Sequence, residues 1–280
     1  MTKNKRIVIV GMGIIGGSFA KALKKYTDHY VIGINRTHSV LERALRENAI
    51  DEIGDEQSLK KADIVILALY PAAAVSYVEK FGSYIKKGAI VTDSSGIKRE
   101  ICPQLTALSK KFGFEFVGSH PMAGKETNGF ESSDAELFSG ASYIITPCEA
   151  GDESIKTLSS LAGEIGFGMV KITTPEEHDR MIAFTSQLPH VLACAYVLSP
   201  CCPNHKGFSA GSYKDVSRVA NINAELWSEL FLENREPLIS ELETLITNIH
   251  AITDAVMASD KKKIEELLEA AHKTKEMLGE

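Results

Sequence analysis

Along the first part of the chain, short apolar runs alternate with stretches of helical spacing. Arg6–Val10 (RIVIV), Tyr30–Ile34 (YVIGI), 64–69 (IVILAL) and 89–92 (AIVT) are continuous apolar runs, the pattern of strands buried on both faces of a parallel sheet. Between them, residues 18–26, 40–48 and 73–85 place apolar side chains at helical intervals. Further strands are predicted at 114–117, Ser142–Thr146 and Met169–Ile172, with a helix over 153–165. Alternation of this kind predicts an α/β, Rossmann-type doubly wound sheet with helices on both faces. After Thr174-Pro175 the pattern changes. Proline followed by Glu176 and Glu177 is a favourable helix start, because the acidic pair meets the positive end of the helix dipole. Beyond it nearly everything reads helical: Leu238, Leu242, Leu245, Ile249, Ile252 and Val256 form one stripe, and Ile264, Leu267, Leu268, Ala271 and Leu278 form another. The expected organisation is therefore a dinucleotide-binding domain over 1–172 and an all-α C-terminal domain over 173–280, whose long apolar stripe serves as core or as the seam of a homodimer.

Composition narrows the class. With 280 residues, 44% apolar content and a formal charge of −6, the chain has the composition of a folded protein. The negative balance argues against nucleic acid or an anionic membrane as partner. No apolar run reaches the ~20 residues of a membrane-spanning helix, and the start lacks a signal-peptide core. Five cysteines without a CxxC pair fit a reducing cytoplasm. Cys201, Cys202 and His205 resemble half a metal site, but no second cluster completes four ligands, so no metal is expected.

The chemistry is carried by a few segments. Gly11, Gly13 and Gly16 follow the first strand and open the first helix, the context a dinucleotide-binding GxGxxG requires. The glycines allow the tight turn and the close approach of pyrophosphate, and Ile14 and Ile15 begin the helix whose N–H groups face the phosphates. The second strand ends in Asn35-Arg36-Thr37, with no acid for the ribose hydroxyls. A guanidinium beside an amide and a hydroxyl suits a 2′-phosphate, which favours NADP while leaving NAD open. His120 stands in GSHPMAG (118–124) at the C-terminal end of a strand, where open α/β sheets bind ligands, and is the candidate general base. DSSGIK (93–98) ends another strand at the same edge, placing Ser94 and Ser95 near the cofactor and the histidine. In SQLPH (186–190), Pro189 interrupts a helical pattern and turns His190 toward the kink. Arg218 follows GSYKDVS and can grip a carboxylate by two parallel bonds.

Taken together, GMGIIGGS (11–18), TDSSGIK (92–98), GSHPMAG (118–124), SQLPH (186–190), GSYKDVSRVA (211–220) and WSELFLEN (227–234) resemble the prephenate/arogenate dehydrogenases of tyrosine biosynthesis, in that family's order. The resemblance implies NAD(P)-dependent oxidative decarboxylation of prephenate to 4-hydroxyphenylpyruvate, or of arogenate to tyrosine, by a cytoplasmic homodimer. It implies His120 as the catalytic histidine, His190 as a substrate contact and Arg218 as the holder of the ring carboxylate. Glu126, Lys214, Asp215 and Trp227 match positions around the pocket and its gate. Two departures stand out. The family's strand-end motif places a serine after the glycine, bonded to the histidine, whereas here the order is Ser95-Gly96. Either Ser95 or Ser94 provides that hydroxyl, or the bond is absent. Gln187 stands where the family often has histidine, so the side-chain end of the substrate, keto acid or amino acid, stays open. With the sequence ending at Glu280, no appended regulatory or mutase domain is expected. The rival readings are a hydroxyacid dehydrogenase or imine reductase, which need a lysine on the first helix after the sheet that 176–199 lacks, and a dinucleotide sensor without chemistry.

Overall fold

The computed structural model describes residues 4–125 and 127–279. Eight strands form one sheet: β1 (Arg6–Val10), β2 (Tyr30–Ile34), β3 (Glu52–Ile53), β4 (Ile64–Leu67), β5 (Ile90–Asp93), β6 (Glu115–Pro121), β7 (Ser142–Thr146) and β8 (Met169–Ile172). Their order is β3-β2-β1-β4-β5-β6-β7-β8. Helices α1 (Ile14–Tyr26), α2 (His38–Arg46), α3 (Pro71–Phe81), α4 (Ile101–Phe112) and α5 (Asp152–Glu164) connect the strands. Alternate residues of the central strands enter opposite cores. Ile7, Ile9, Ile64 and Ile66 pack into one, while Val8, Val10, Val65 and Leu67 pack into the other. This two-sided burial is why the strands read as unbroken apolar runs. Each such side chain contributes about 1.5–3 kcal/mol of burial.

The sheet departs from a purely parallel one at a single place. β1 to β6 pair in parallel, β7 runs antiparallel to β6, with His120 opposite Ile144, and β8 returns parallel to β7. A parallel neighbour needs a crossover; among the described residues between β6 and β7 the only helical segment is the short 3-10 turn Phe130–Ser132. Helix α4 escapes the periodicity reading because its buried face includes Thr106 and Ser109 beside Ile101, Cys102 and Leu105, and because Pro103 lies in its first turn.

From Pro175 on, the described residues form only helices and turns: α6 (Pro175–Ile182), α7 (Leu188–Val197), α8 (Gly211–Ser217), α9 (Ala224–Glu233), α10 (Arg235–Met257) and α11 (Lys261–Leu278). Thr174 caps α6 by accepting from Glu177 N–H. The interruption expected at Pro189 is a π-helical turn, Ala183–Gln187, in which Leu188 N–H reaches back five residues to Ala183 O. The extra residue widens the helix just before the proline. Of the predicted stripe on α10, Leu238 is buried and Leu242 and Leu245 are half-buried, while Ile249, Ile252 and Val256 remain 43–57% exposed, so its C-terminal half is not core of this chain. No helix among the described residues is long and apolar enough to cross a membrane.

Candidate active site

The glycine loop leaves β1 and enters α1 under tight steric control. Gly11 has φ +94°, and a Cβ there would sit 2.3 Å from Ala68 O; a Cβ on Gly16 would sit 1.9 Å from Gly11 O. Gly13 differs: a Cβ there would meet nothing within 4 Å. The first turn of α1, with Ile14 and Ile15, has no acidic residue and no side-chain cap. An uncapped helix start facing open space, approached by a glycine, fits a pyrophosphate. Asn35 acts one step back from that space. Its Oδ1 accepts from Met12 N–H at 3.1 Å and its Nδ2 donates to Thr37 O at 3.2 Å, so its amide braces the loop. Arg36 and Thr37 are exposed beside it.

At the ends of β5 and β6 lies a buried polar floor. Asp93 accepts from Ser95 N–H at 2.9 Å and Ser119 N–H at 3.0 Å, and pairs with the Lys98 ammonium. Both partners of that ion pair are fully buried. The Ser119 hydroxyl takes hydrogen bonds from Thr92 and from Tyr143, at 2.9 and 2.7 Å. Burial pushes the Tyr143 phenol up to about 12, so it acts here as a donor.

His120 rises from this floor, half-buried, into a cleft of about 380 Å³. Its Nδ1 lies 3.0 Å from Nε2 of His178, and Nδ1 of His178 lies 2.6 Å from Asp179 Oδ1. Burial holds the His120 imidazole well below its ordinary range, with His178 and Lys98 pushing the same way. Burial likewise lowers His178, against the opposing pull of Asp179. Neutral imidazole is the form a general base needs. His178 and Asp179 went unnoticed in the sequence, where PEEHDR reads as an ordinary charged first turn. The one available signal is an Asp adjoining a His on a helix that begins right after the sheet.

The opposite wall of the cleft is helical. His190 donates through Nδ1 to Ser186 O at 2.7 Å and lies face to face with Trp227, ring centroids 3.7 Å apart. Arg218, at the end of α8, lines the same cleft together with Lys125, Ser186 and Asn223. The structure therefore brings His120, His190, Arg218 and Trp227 around one space.

Other candidates fall elsewhere. Gln187 is buried, donating to Leu230 O at 2.9 Å and accepting from Asn234 Nδ2 at 2.7 Å; it is a strut between helices, not a substrate contact, because both ends of its amide are engaged inside the fold. The Ser95 hydroxyl is buried with no hydrogen-bond partner, and Ser94 Oγ points to Leu67 O at 3.4 Å. The serine–histidine bond is thus absent, and Nδ1 of His120 meets His178 instead. Position 96 is where a Cβ would come within 4.0 Å of His120 Cε1, and this chain has glycine there. Lys214 and Asp215 are exposed on α8 and do not line the cleft. Glu126 lies outside the described residues.

Comparison with known proteins agrees with this geometry. Residues 19–171 match the family described as prephenate dehydrogenase, nucleotide-binding domain, and residues 174–270 match prephenate dehydrogenase, dimerization domain. The chain is 31% identical over 272 residues to the cyclohexadienyl dehydrogenase of Zymomonas mobilis, covering 93% of this chain and 91% of that protein. Among solved structures, the Synechocystis arogenate dehydrogenase superposes with a TM-score of 0.84 at 26% identity, covering 98% of this chain and 99% of that one. The prephenate dehydrogenase of A. aeolicus, solved with hydroxyphenyl propionate and NAD+, gives 0.84 at 28% identity over 99% of both chains.

Proposed function

The chain belongs to the prephenate dehydrogenase family and is an NAD(P)-dependent dehydrogenase, and from that premise we propose that it carries out the oxidative decarboxylation of prephenate to 4-hydroxyphenylpyruvate and CO2. The observation that carries this reading is the cleft itself: a neutral, half-buried His120 and the Arg218 guanidinium line one space at the C-terminal edge of a dinucleotide-type sheet. A base and a carboxylate holder in one cleft suit a ring bearing a hydroxyl opposite a carboxylate. When bound at the glycine loop, the nicotinamide dinucleotide provides the hydride acceptor. His120 takes the hydroxyl proton at Nε2, and Arg218 orients the ring through its carboxylate, which leaves as CO2 as the ring becomes aromatic. A positioned base contributes about 10²–10⁴-fold, and orientation of the reacting carbon contributes up to ~7–11 kcal/mol.

Three finer assignments belong to the same proposal. Arg36, exposed at the end of β2 with no acid beside it, favours NADP over NAD. The division falls at 172/173, with the dinucleotide held by 1–172 and the substrate wall and homodimer seam provided by 173–280. The exposed isoleucines of α10 supply that seam, and five free cysteines fit a cytoplasmic setting. The test is an assay of reduced nicotinamide absorbance with prephenate and arogenate crossed against NADP and NAD. Turnover is expected with prephenate and NADP. A preference for arogenate would move the chain to the amino-acid branch of the family, and silence in all four, with dinucleotide binding intact, would refute the proposal.

A further inference from the structure

We infer that Asp179 and His178 are positioning residues that set the ring tautomer of His120, so that its lone pair sits on Nε2. The inference rests on the reading of His120 as the base. It starts from the carboxylate. Asp179 Oδ1 accepts from Lys98 N–H at 2.8 Å, and Oδ2 accepts from Arg99 N–H at 2.7 Å. Both oxygens are thereby committed as acceptors, so the 2.6 Å contact from Oδ1 to His178 Nδ1 requires the hydrogen on Nδ1. A neutral imidazole protonated at Nδ1 carries its lone pair on Nε2. That atom lies 3.0 Å from His120 Nδ1, which must therefore donate. The hydrogen of His120 is then on Nδ1 and its lone pair on Nε2. Every donor along the chain points toward Asp179.

Protonation of either ring would break this order, and the surroundings oppose it. His120, on β6, is faced by His178 from α6 and by the buried Lys98 from the segment before α4; His178 is faced by Asp179, Lys98 and Asp93. An imidazolium at either position would stand in a dehydrated site beside the Lys98 ammonium, which already pairs with Asp93.

The carboxylate has a second role. It closes the backbone N–H groups of Lys98 and Arg99, which belong to the sheet domain, while Asp179 itself sits on the first helix beyond it. Asn234 Nδ2 donates to Asp179 O at 2.9 Å, tying the same turn to the segment between α9 and α10. The lone pair of His120 is therefore set by a residue that also latches the helical domain onto the sheet. The base becomes competent only in the docked arrangement.

The test uses the full-length protein and two substitutions. Asp179→Asn removes the carboxylate charge and one of the two acceptor oxygens shared by His178 Nδ1–H, Lys98 N–H and Arg99 N–H, and so weakens the hold that keeps the hydrogen on His178 Nδ1 and, through it, on His120 Nδ1. Turnover with prephenate should fall by about 10²–10⁴-fold with KM within about threefold, as when the orienting carboxylate of a catalytic triad becomes an amide. His178→Gln keeps an acceptor oxygen for His120 Nδ1, and turnover should stay within about tenfold of the parent. A merely structural pair would lower Tm in both variants without separating their turnover, and that result would overturn the inference. Nitrogen-15 NMR of the dinucleotide-free protein, with His120 assigned by its loss in His120→Asn, reads the tautomer directly. The parent should show a protonated Nδ1 and a bare Nε2; a protonated Nε2 in the parent would also overturn it. This measurement uses no substrate, so it stands even where Asp179→Asn does not fold, and a wrong ring substrate would show itself separately as silence of the parent enzyme.

Discussion

His190 and Trp227 lie nearly parallel, 28° apart with ring centroids at 3.7 Å, one from α7 and the other from α9. Phe231 meets the indole edge-on at 5.6 Å. The indole thus holds the His190 ring against the cleft, and an aromatic contact of this kind is worth about 0.5–1.5 kcal/mol beyond burial. Trp227→Ala is expected to raise KM for the ring substrate about three- to tenfold and to alter kcat less. Trp227→Phe should recover most of the loss. Steady-state kinetics on the three proteins separates these effects.

Gln187 should behave as a structural residue. Gln187→Leu removes one bond from Leu230 O, which keeps Asn234 N–H, and one from Asn234 Nδ2, which keeps Asp179 O, at about 0.5–1.5 kcal/mol for each lost bond. Thermal denaturation should show a Tm several degrees lower, while KM for prephenate stays within about twofold. A large KM change at unchanged Tm would return Gln187 to the substrate pocket.

Acid should act through the two buried imidazoles. The folded-state values of His120 and His178 are depressed, so below the ordinary histidine value near 6.5 the unfolded chain binds more protons than the folded one. Their contribution to stability is complete above that value and is lost as pH falls from it toward the folded values. Tm should drop by a few degrees between pH 7 and pH 5. The acid limb of kcat/KM should lie below 6.5, because the free enzyme's base stays unprotonated until the depressed folded value is reached. An acid limb centred at or above 6.5 would contradict the depressed state of His120.

Gly11 and Gly13 should separate folding from binding. Gly11→Ala forces a Cβ to 2.3 Å from Ala68 O at a positive φ and should destabilise the protein by more than about 2 kcal/mol. Gly13→Ala projects into open space, so Tm should move by no more than about two degrees while the dinucleotide Kd rises at least about tenfold. Denaturation and fluorescence titration of both variants check the contrast.

Arg36 should read the cofactor. Arg36→Ala is expected to weaken NADP by about tenfold or more, from the loss of charge-assisted bonds to a 2′-phosphate, and to leave NAD within about twofold. Equal effects on the two dinucleotides would assign Arg36 to general loop electrostatics.

What the sequence determined by itself was local. RIVIV before GMGIIG, the run of buried strands, the switch to helical spacing after Thr174-Pro175 and the strand-end position of His120 are all properties of neighbouring residues, and periodicity and glycine geometry report on neighbours. Helix α4 was lost to that reading because Thr106 and Ser109 are buried by what packs over them, which no local period records. The antiparallel entry of β7 likewise depends on how the chain returns after β6. The site shows the same division. His120 and His190 announced themselves by residue type beside proline, and Arg218 as a cation on a glycine-led segment. The partners of His120 did not, because Asp179 lies 59 positions away and reaches it only through His178, once α6 docks against the turn at Lys98 and Arg99. Gln187 shows the converse: its place in the motif announced a substrate contact, and only packing against Leu230 and Asn234 turned its amide inward. Hydrogen-bond direction is a relation between surfaces distant in sequence, and it exists only after those surfaces have met.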